Sequence, residues 1–370
     1  MQPDKILFTP GPLTTSVTVK QAMLRDLGSR DQEFITTVKE IRYGLLNLAG
    51  VSQHDGYEAV IMQGSGTFGI ESVISSVIPV DGHLLVIING AYGERISSMA
   101  EIHGIRQTRL VCGEDEHPSL SQIENALEEN PSITHVVVVH CETTTGIINP
   151  IEDIGKLANQ YHKTLIVDAM SSFGAVPIDF KESHIDFLIS SSNKCIEGVP
   201  GFSFIIARRK CLLDSSKIAR TMTLNLYQQW KALEETGQFR FTPPTHTLMA
   251  FRQALDEIMA EGGVIGRAGR YAENYKVLIF GMREMGFKEY LSSEKQGYII
   301  TSFHCPKHPN FDFASFYKLL SDKGQVIYPG KLSKADCFRI GNIGRISTID
   351  IAVLLACIRA TLEEMEVDCP

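Results

Sequence analysis

Short apolar runs of strand length alternate with amphipathic stretches through the first two-thirds of the chain, and that rhythm restricts the fold more than any single motif. Strand candidates fall at residues 59–62, 84–88, 108–111, 135–140, 164–168, 187–190 and 203–207. Helical periodicity lies between several of them, over residues 69–77, 92–102, 120–127 and 151–161. Apolar runs need cover on both faces, and strand–helix alternation provides it around a mostly parallel sheet. From Thr245 the pattern changes: helical segments at 246–261 and 265–285 lead to strands near 297–303 and 338–340. The expected architecture is α/β, with a large domain over residues 15–260 built on a mostly parallel seven-stranded sheet. A smaller C-terminal α/β domain is expected over residues 261–370, with residues 1–14 packing near the junction.

A chain of 370 residues that is 44% hydrophobic can bury a large core and has room for two domains. Its net charge of −8, with no basic block, argues against nucleic acid or a membrane surface as partner. A small anionic ligand remains compatible, because one local arginine or lysine can act against an acidic average. No apolar run is long enough to span a bilayer, and the first residues lack the apolar core of a signal peptide. Eight cysteines scattered without paired spacing read as reduced thiols, hence a cytoplasmic protein. His304-Cys305-Pro-Lys-His308 has ligand-type residues at loose spacing; with no second cluster it reads as a strand-end loop, and no metal is expected.

Chemistry concentrates at the ends of the apolar runs. Lys194 sits in a polar turn just after the run that ends in Ser190-Ser-Ser192. The run at 164–168 ends in the carboxylate of Asp168. Ligands of α/β folds gather at the carboxyl ends of strands, so an amine and an acid at neighbouring ends point to a Schiff-base lysine and a partner for a pyridinium nitrogen. After the run at 59–62 comes Gln63-Gly-Ser-Gly-Thr-Phe-Gly69, small residues and hydroxyls opening a helix, a cradle for a phosphate monoester. The same residues match the dinucleotide fingerprint, but that reading needs an acid at the end of the next strand, and Asn89-Gly-Ala-Tyr-Gly93 stands there instead. Tyr92, between small residues, could stack on a flat heteroaromatic ring. Thr143, Thr144 and Thr145 follow the strand at 135–140 and offer hydroxyls to a ring oxygen or to Asp168.

Taken in order, Thr9-Pro-Gly-Pro-Leu13, Gly64-Ser-Gly-Thr67, Asn89-Gly-Ala-Tyr-Gly93, Glu142-Thr-Thr-Thr-Gly146, Val167-Asp-Ala169, Ser192-Asn-Lys194, Phe241-Thr-Pro-Pro244 and Cys337-Phe-Arg-Ile-Gly341 resemble the class V aminotransferases, fold-type-I enzymes that depend on pyridoxal 5'-phosphate. Each segment is weak alone; the set spans nearly the whole chain. The resemblance implies that Lys194 tethers the cofactor, Asp168 faces its ring nitrogen and Tyr92 stacks on the ring. Ser65, Gly66, Thr67 and Asn193 would hold the phosphate, and Thr143 would reach the ring hydroxyl, with Thr145 close by. Thr242 would reach the phosphate of a second copy, making the enzyme a homodimer. Phe239 replaces a tyrosine that some family members carry near the phosphate and offers no hydroxyl.

Arg339 matches the family position that binds the substrate's anionic group, whereas Arg30 and Arg345 have no spacing that aims them at the site. Gly28-Ser-Arg-Asp31 and Arg339-Ile-Gly-Asn-Ile-Gly344 resemble most the members that move an amine from 2-aminoethylphosphonate to pyruvate by two-stage exchange. The competing expectations are an alanine– or serine–glyoxylate exchange on the same cofactor and, from another class, a nicotinamide-dependent dehydrogenase.

Overall fold

In the computed structural model, which describes residues 4–330, 332 and 335–368, seven strands form one sheet. Across the sheet they run Tyr57–Gln63, Phe202–Arg208, Phe187–Ser191, Thr164–Asp168, His135–Val139, His83–Ile88 and Arg106–Val111. Phe202–Arg208 is antiparallel to both neighbours and the other pairings are parallel, so the expected mostly parallel α/β sheet is what forms. Every residue of His83–Ile88 and His135–Val139 is buried, as runs apolar on both faces require. The edge strand Arg106–Val111 carries Arg106 and Arg109, charge that discourages another chain from adding to the edge. Helix Gly66–Val77 lies close on the sheet because Gly69 has no side chain; a Cβ there would stand 2.6 Å from Ser203 Oγ.

A separate three-stranded antiparallel sheet is built from Ile300–His304, Cys337–Gly341 and Tyr328–Pro329. Its own core includes Phe287, Phe303, Phe316 and Phe338. The helices Phe313–Asp322 and Thr348–Glu364 flank it, the second opened by a capping box between Ser347 and Asp350. Ile6–Leu7 pairs in parallel with Gln325–Val326, and Phe8 buries itself in the same aromatic core. The N-terminal segment is therefore stitched to the C-terminal part of the chain.

Element limits differ from the sequence reading where local signals compete. The helix expected from residue 69 starts at Gly66, so the hydroxyl loop is the first helical turn. Helix Gln32–Leu48 was not anticipated, although Phe34, Val38, Ile41 and Leu45 recur at helical spacing and are all buried.

A cluster of buried charges joins helix Gly263–Glu284 to the turn that follows Lys194. Glu197 Oε1 receives Arg270 Nη2 at 2.7 Å, the Tyr271 hydroxyl at 2.6 Å and Arg267 Nη1 at 3.3 Å. Glu261 receives Arg267 Nε and Arg270 Nε, each at 2.7 Å. Arg267 Nη1 also donates to Cys195 O at 2.5 Å, and Arg270 Nη1 to Gly344 O at 2.6 Å. Removing one member of such a cluster leaves a buried charge uncompensated. Arg267→Met is expected to lower unfolding free energy by about 3–5 kcal/mol in urea titrations; a loss within experimental error would show the cluster to be energetically neutral.

Candidate active site

The carboxyl ends of Tyr57–Gln63, Thr164–Asp168 and Phe187–Ser191 converge on a cavity of about 220 Å³. Lys194 enters it from the turn after Phe187–Ser191, half-buried, with Nζ donating to Pro10 O at 2.6 Å. The amine fits there only because residue 11 is glycine: its φ is +109°, and a Cβ would stand 2.8 Å from Nζ. Burial holds the Lys194 amine down at about 8; Asp168 pulls the other way and Arg339 adds to the depression.

Asp168 is the last residue of its strand and is buried. Its Oδ1 accepts the Met170 N–H at 2.9 Å. Burial pushes its carboxyl up to about 6, against that bond and the charges of Lys194 and Arg95. Both shifts have one cause, the loss of water around a charge.

At the opposite wall Ser65 is the N-cap of Gly66–Val77, and its hydroxyl does not cap its own helix. A Cβ at Gly66 would overlap the Met170 sulfur, so glycine keeps the wall open. Thr67 Oγ1 accepts Arg95 Nη1 at 3.3 Å, and the Arg95 guanidinium lies 4.9 Å from the Tyr92 ring centroid. Asn193 Oδ1 accepts the Ser191 hydroxyl at 3.1 Å. Helix N-terminal N–H groups, hydroxyls and a guanidinium together make an anion-binding end.

Arg339 lies on Cys337–Gly341 of the three-stranded sheet and is 2% exposed. Its Nε donates to Pro329 O at 2.9 Å and its Nη1 to Thr143 O at 2.8 Å, and the Tyr92 side chain lies within its electrostatic reach. Through Tyr92 the arginine adjoins the cavity. Burial depresses its pKa from the ordinary arginine value.

Lys194, Asp168, Ser65, Gly66, Thr67, Tyr92 and Asn193 thus line one cavity. Thr143 is buried and meets Arg339 through its carbonyl, while Thr145 turns its hydroxyl toward Glu142 O at 3.4 Å. Thr242 is exposed at the surface, where its carbonyl accepts Gln63 Nε2 at 2.6 Å. Arg30 and Arg345 are exposed. Sequence reasoning missed Gly11, Arg95, Met170 and Glu142. Glu142 and Gly11 stood inside quoted motifs, but nothing in the sequence distinguished a buried carboxylate from a surface one. Burial lifts the Glu142 carboxyl to about 7, against hydrogen bonds from Thr144 and Tyr92. Asn89, where a dinucleotide site would want an acid, is committed to Asn149 Oδ1 at 2.8 Å and Glu116 O at 3.0 Å. Among the described residues no group of three or more His, Cys, Asp or Glu side chains is placed to hold a metal ion.

Residues 15–333 match the family described as Aminotransferase class-V, and the chain belongs to it. Pyridoxal phosphate is the cofactor that membership brings. The relatives it resembles include the 2-aminoethylphosphonate–pyruvate transaminase of Salmonella heidelberg (strain SL476), 48% identical over 363 residues, 98% of each chain. The enzyme of the same name from Salmonella typhimurium (strain LT2) is 48% identical over 359 residues, 96% of this chain and 97% of that one. Among solved structures, ureidoglycine–glyoxylate aminotransferase from Bacillus subtilis superposes with a TM-score of 0.91 at 23% identity, over 100% of this chain and 96% of that one. Alanine–glyoxylate aminotransferase from Nostoc sp. gives 0.89 at 24% identity, over 98% of this chain and 96% of that one. At such identity the structural likeness speaks for the fold alone.

An amine held near 8 is partly neutral at ordinary assay pH, and only the neutral form condenses with an aldehyde. The rate at which the cofactor-free protein takes up pyridoxal phosphate is expected to climb with pH up to about 8 and then level off. Stopped-flow absorbance measures this; a rate still climbing toward pH 10, the ordinary lysine range, would mean Lys194 is not desolvated.

Proposed function

We propose that the protein transfers the amino group of 2-aminoethylphosphonate to pyruvate, yielding phosphonoacetaldehyde and L-alanine, as a cytoplasmic step of phosphonate degradation. The reading is carried by a depressed lysine and a buried carboxylate in one cavity, with a buried guanidinium, Arg339, adjoining it. Relatives of the corresponding name at 48% identity over 98% of the chain support the substrate pair.

The residues present fit the cofactor. Gly11 and Gly66 leave room that a Cβ would fill, Ser65 does not spend its hydroxyl on its own helix, and an amine faces the space between them. Lys194 would hold the cofactor's aldehyde carbon, and Asp168 its ring nitrogen. Ser65, Gly66, Thr67 and Asn193 would hold its phosphate, Tyr92 would cover its ring and Thr143 its hydroxyl side. When bound, pyridoxal phosphate supplies a conjugated ring that accepts the electron pair left on a deprotonated carbon.

Everything else falls to the chain. The Lys194 amine, once free, would take the proton from the substrate carbon that bears nitrogen, hold it at Nζ and return it two atoms away, on the far side of that nitrogen. Asp168 in its charged form would hold the cofactor's ring nitrogen protonated, an ion pair that burial strengthens. Arg339 grips two oxygens of the phosphonate or of the pyruvate carboxylate through its planar fork. Its bonds to Pro329 O and Thr143 O fix the plane of that fork. Under this proposal the large domain, residues 15–260, carries the cofactor, and the small domain, residues 261–370, carries the anion clamp. Thr242, exposed at the surface, completes the phosphate site of a second copy, so the working unit is a homodimer.

Pyruvate-dependent consumption of 2-aminoethylphosphonate, assayed beside alanine–glyoxylate and serine–glyoxylate exchange, tests the reading directly. Comparable rates with the glyoxylate pairs and none with the phosphonate would overturn it. Arg339→Lys is expected to cost about 2–4 kcal/mol in kcat/KM for both substrates, the loss of a buried bidentate contact. An unchanged kcat/KM would remove Arg339 from the site. Borohydride reduction of the loaded enzyme should fix the label on Lys194, and light scattering should report a dimer mass.

A further inference from the structure

Glu142 is fully buried in the hairpin formed by Cys141–Glu142 and Ile147–Ile148. Its Oε2 accepts the Tyr92 N–H at 3.2 Å. Its Oε1 accepts the Thr144 hydroxyl at 2.8 Å and the Thr144 N–H at 3.4 Å. The same Tyr92 interacts electrostatically with Arg339 through its side chain, and Arg339 Nη1 donates to Thr143 O at 2.8 Å. Thr143 is the residue next to Glu142. A closed ring of contacts therefore runs from Glu142 to Tyr92, to Arg339, to Thr143 and back across one peptide bond.

Room for the carboxylate is created at Gly90, where a Cβ would overlap Glu142 Cγ and Cδ. Gly90 is extended, with φ 172°, so an alanine there meets no backbone penalty and only the side-chain overlap. The carboxylate is not part of the cavity wall and makes no bond to Lys194. It acts on the site through its neighbours.

We propose that Glu142 is a positioning residue that sets the Arg339 fork for a small phosphonate or carboxylate, by holding the Tyr92 backbone at the start of helix Ala91–Ile102. The inference rests on the reading of Arg339 as the substrate-anion site. A bond to a main-chain N–H fixes where the tyrosine begins, and the tyrosine side chain lies within electrostatic reach of the guanidinium. The Thr143 carbonyl holds the guanidinium directly, from the residue next to Glu142. Loss of the carboxylate frees the tyrosine and the arginine together.

The test is calorimetric titration of the cofactor-loaded enzyme with methylphosphonate and, separately, with pyruvate, in wild type, Glu142→Gln, Glu142→Ala and Gly90→Ala. Glu142→Ala is expected to weaken both anions about tenfold, the loss of one charge-assisted bond and the order it imposes. Glu142→Gln keeps an oxygen for the Tyr92 N–H and should stay within about threefold of wild type. Gly90→Ala should weaken binding as Glu142→Ala does, although it removes no polar atom. The double variant should bind no worse than Glu142→Ala alone, since the overlap has gone. In turnover, the KM for 2-aminoethylphosphonate should rise with kcat changed much less.

Wild-type anion affinity in both Glu142→Ala and Gly90→Ala overturns the inference, as does a Glu142→Gln as weak as Glu142→Ala, or a loss confined to kcat. Should Glu142→Ala fail to fold, Gly90→Ala and Glu142→Gln decide the matter between them. Because the affinities are read without turnover, a wild type that binds methylphosphonate but moves no amine from 2-aminoethylphosphonate would sink the functional reading and leave this one standing.

Discussion

The site depends on a single buried oxygen. Glu197 Oε1 gathers Arg267, Arg270 and the Tyr271 hydroxyl, all from one turn and a half of helix Gly263–Glu284. Glu197 itself lies three residues after Lys194, at a φ of 65° that non-glycine residues rarely adopt. A residue is kept in that conformation only when its surroundings over-determine it, and here two guanidinium groups do so. The same arginine that binds Glu197 also binds Gly344 O, and the Tyr271 hydroxyl accepts the Gly344 N–H at 3.1 Å. Gly344 lies just beyond the strand that bears Arg339. The lysine turn and the arginine strand, from different sheets, are thereby referred to one helix.

Rigid reference matters because the two charged ends of a small substrate leave little tolerance. An aminoethylphosphonate places its amine and its anion only a few bonds apart, so under the proposed roles the lysine and the guanidinium would have to keep their separation to a fraction of an ångström for productive geometry. The N-terminal segment adds a third tie. Pro10 O accepts the Lys194 amine, Gly341 N donates to Phe8 O at 3.0 Å, and Arg345 N donates to Thr14 O at 2.7 Å. A strap that touches both sheets at the cavity fixes them relative to each other without adding bulk to the cavity.

Most of the sheet was legible in the sequence because its central strands are apolar on both faces and bounded by polar turns, so strand order along the chain needed no tertiary knowledge. Lys194 and Asp168 were legible for a related reason: Asp168 closes one such run, and Lys194 stands in the polar turn that follows the next. Gly66 and Thr67 could be placed at a helix start, yet the helix was expected three residues later. Small hydroxyl residues read locally as loop, whereas contact with the sheet through Gly69 carries the helix back to Gly66. Glu142 and the Glu197 cluster were not legible. A glutamate between threonines has the composition of a solvated turn, and only the fold shows that Gly90 leaves a hollow for it. The arginines of the cluster are separated from Glu197 by some seventy positions, a pairing that no local pattern encodes. Thr143 illustrates a subtler limit: sequence placed it near the site but could not tell that its carbonyl, not its hydroxyl, meets Arg339.

Desolvation unifies what these residues do. Burial moves Lys194 down to about 8 and Asp168 up to about 6, bringing amine and acid toward one another across neutrality. Each group is poorly solvated by water and incompletely paired by protein, so each gains when a ligand of opposite charge arrives. A cationic ring nitrogen would restore Asp168 to its charged form, and an anionic substrate would pair with the charge of Arg339, whose pKa burial depresses against the opposing pull of Tyr92, Tyr328 and Glu142. The protein therefore holds its unfavourable electrostatics in the cavity and secures them with the satisfied charges behind it, where Glu261 and Glu197 answer Arg267 and Arg270. Reversing that arrangement, with the frustrated charges behind and the paired ones in front, would leave nothing for a ligand to bind.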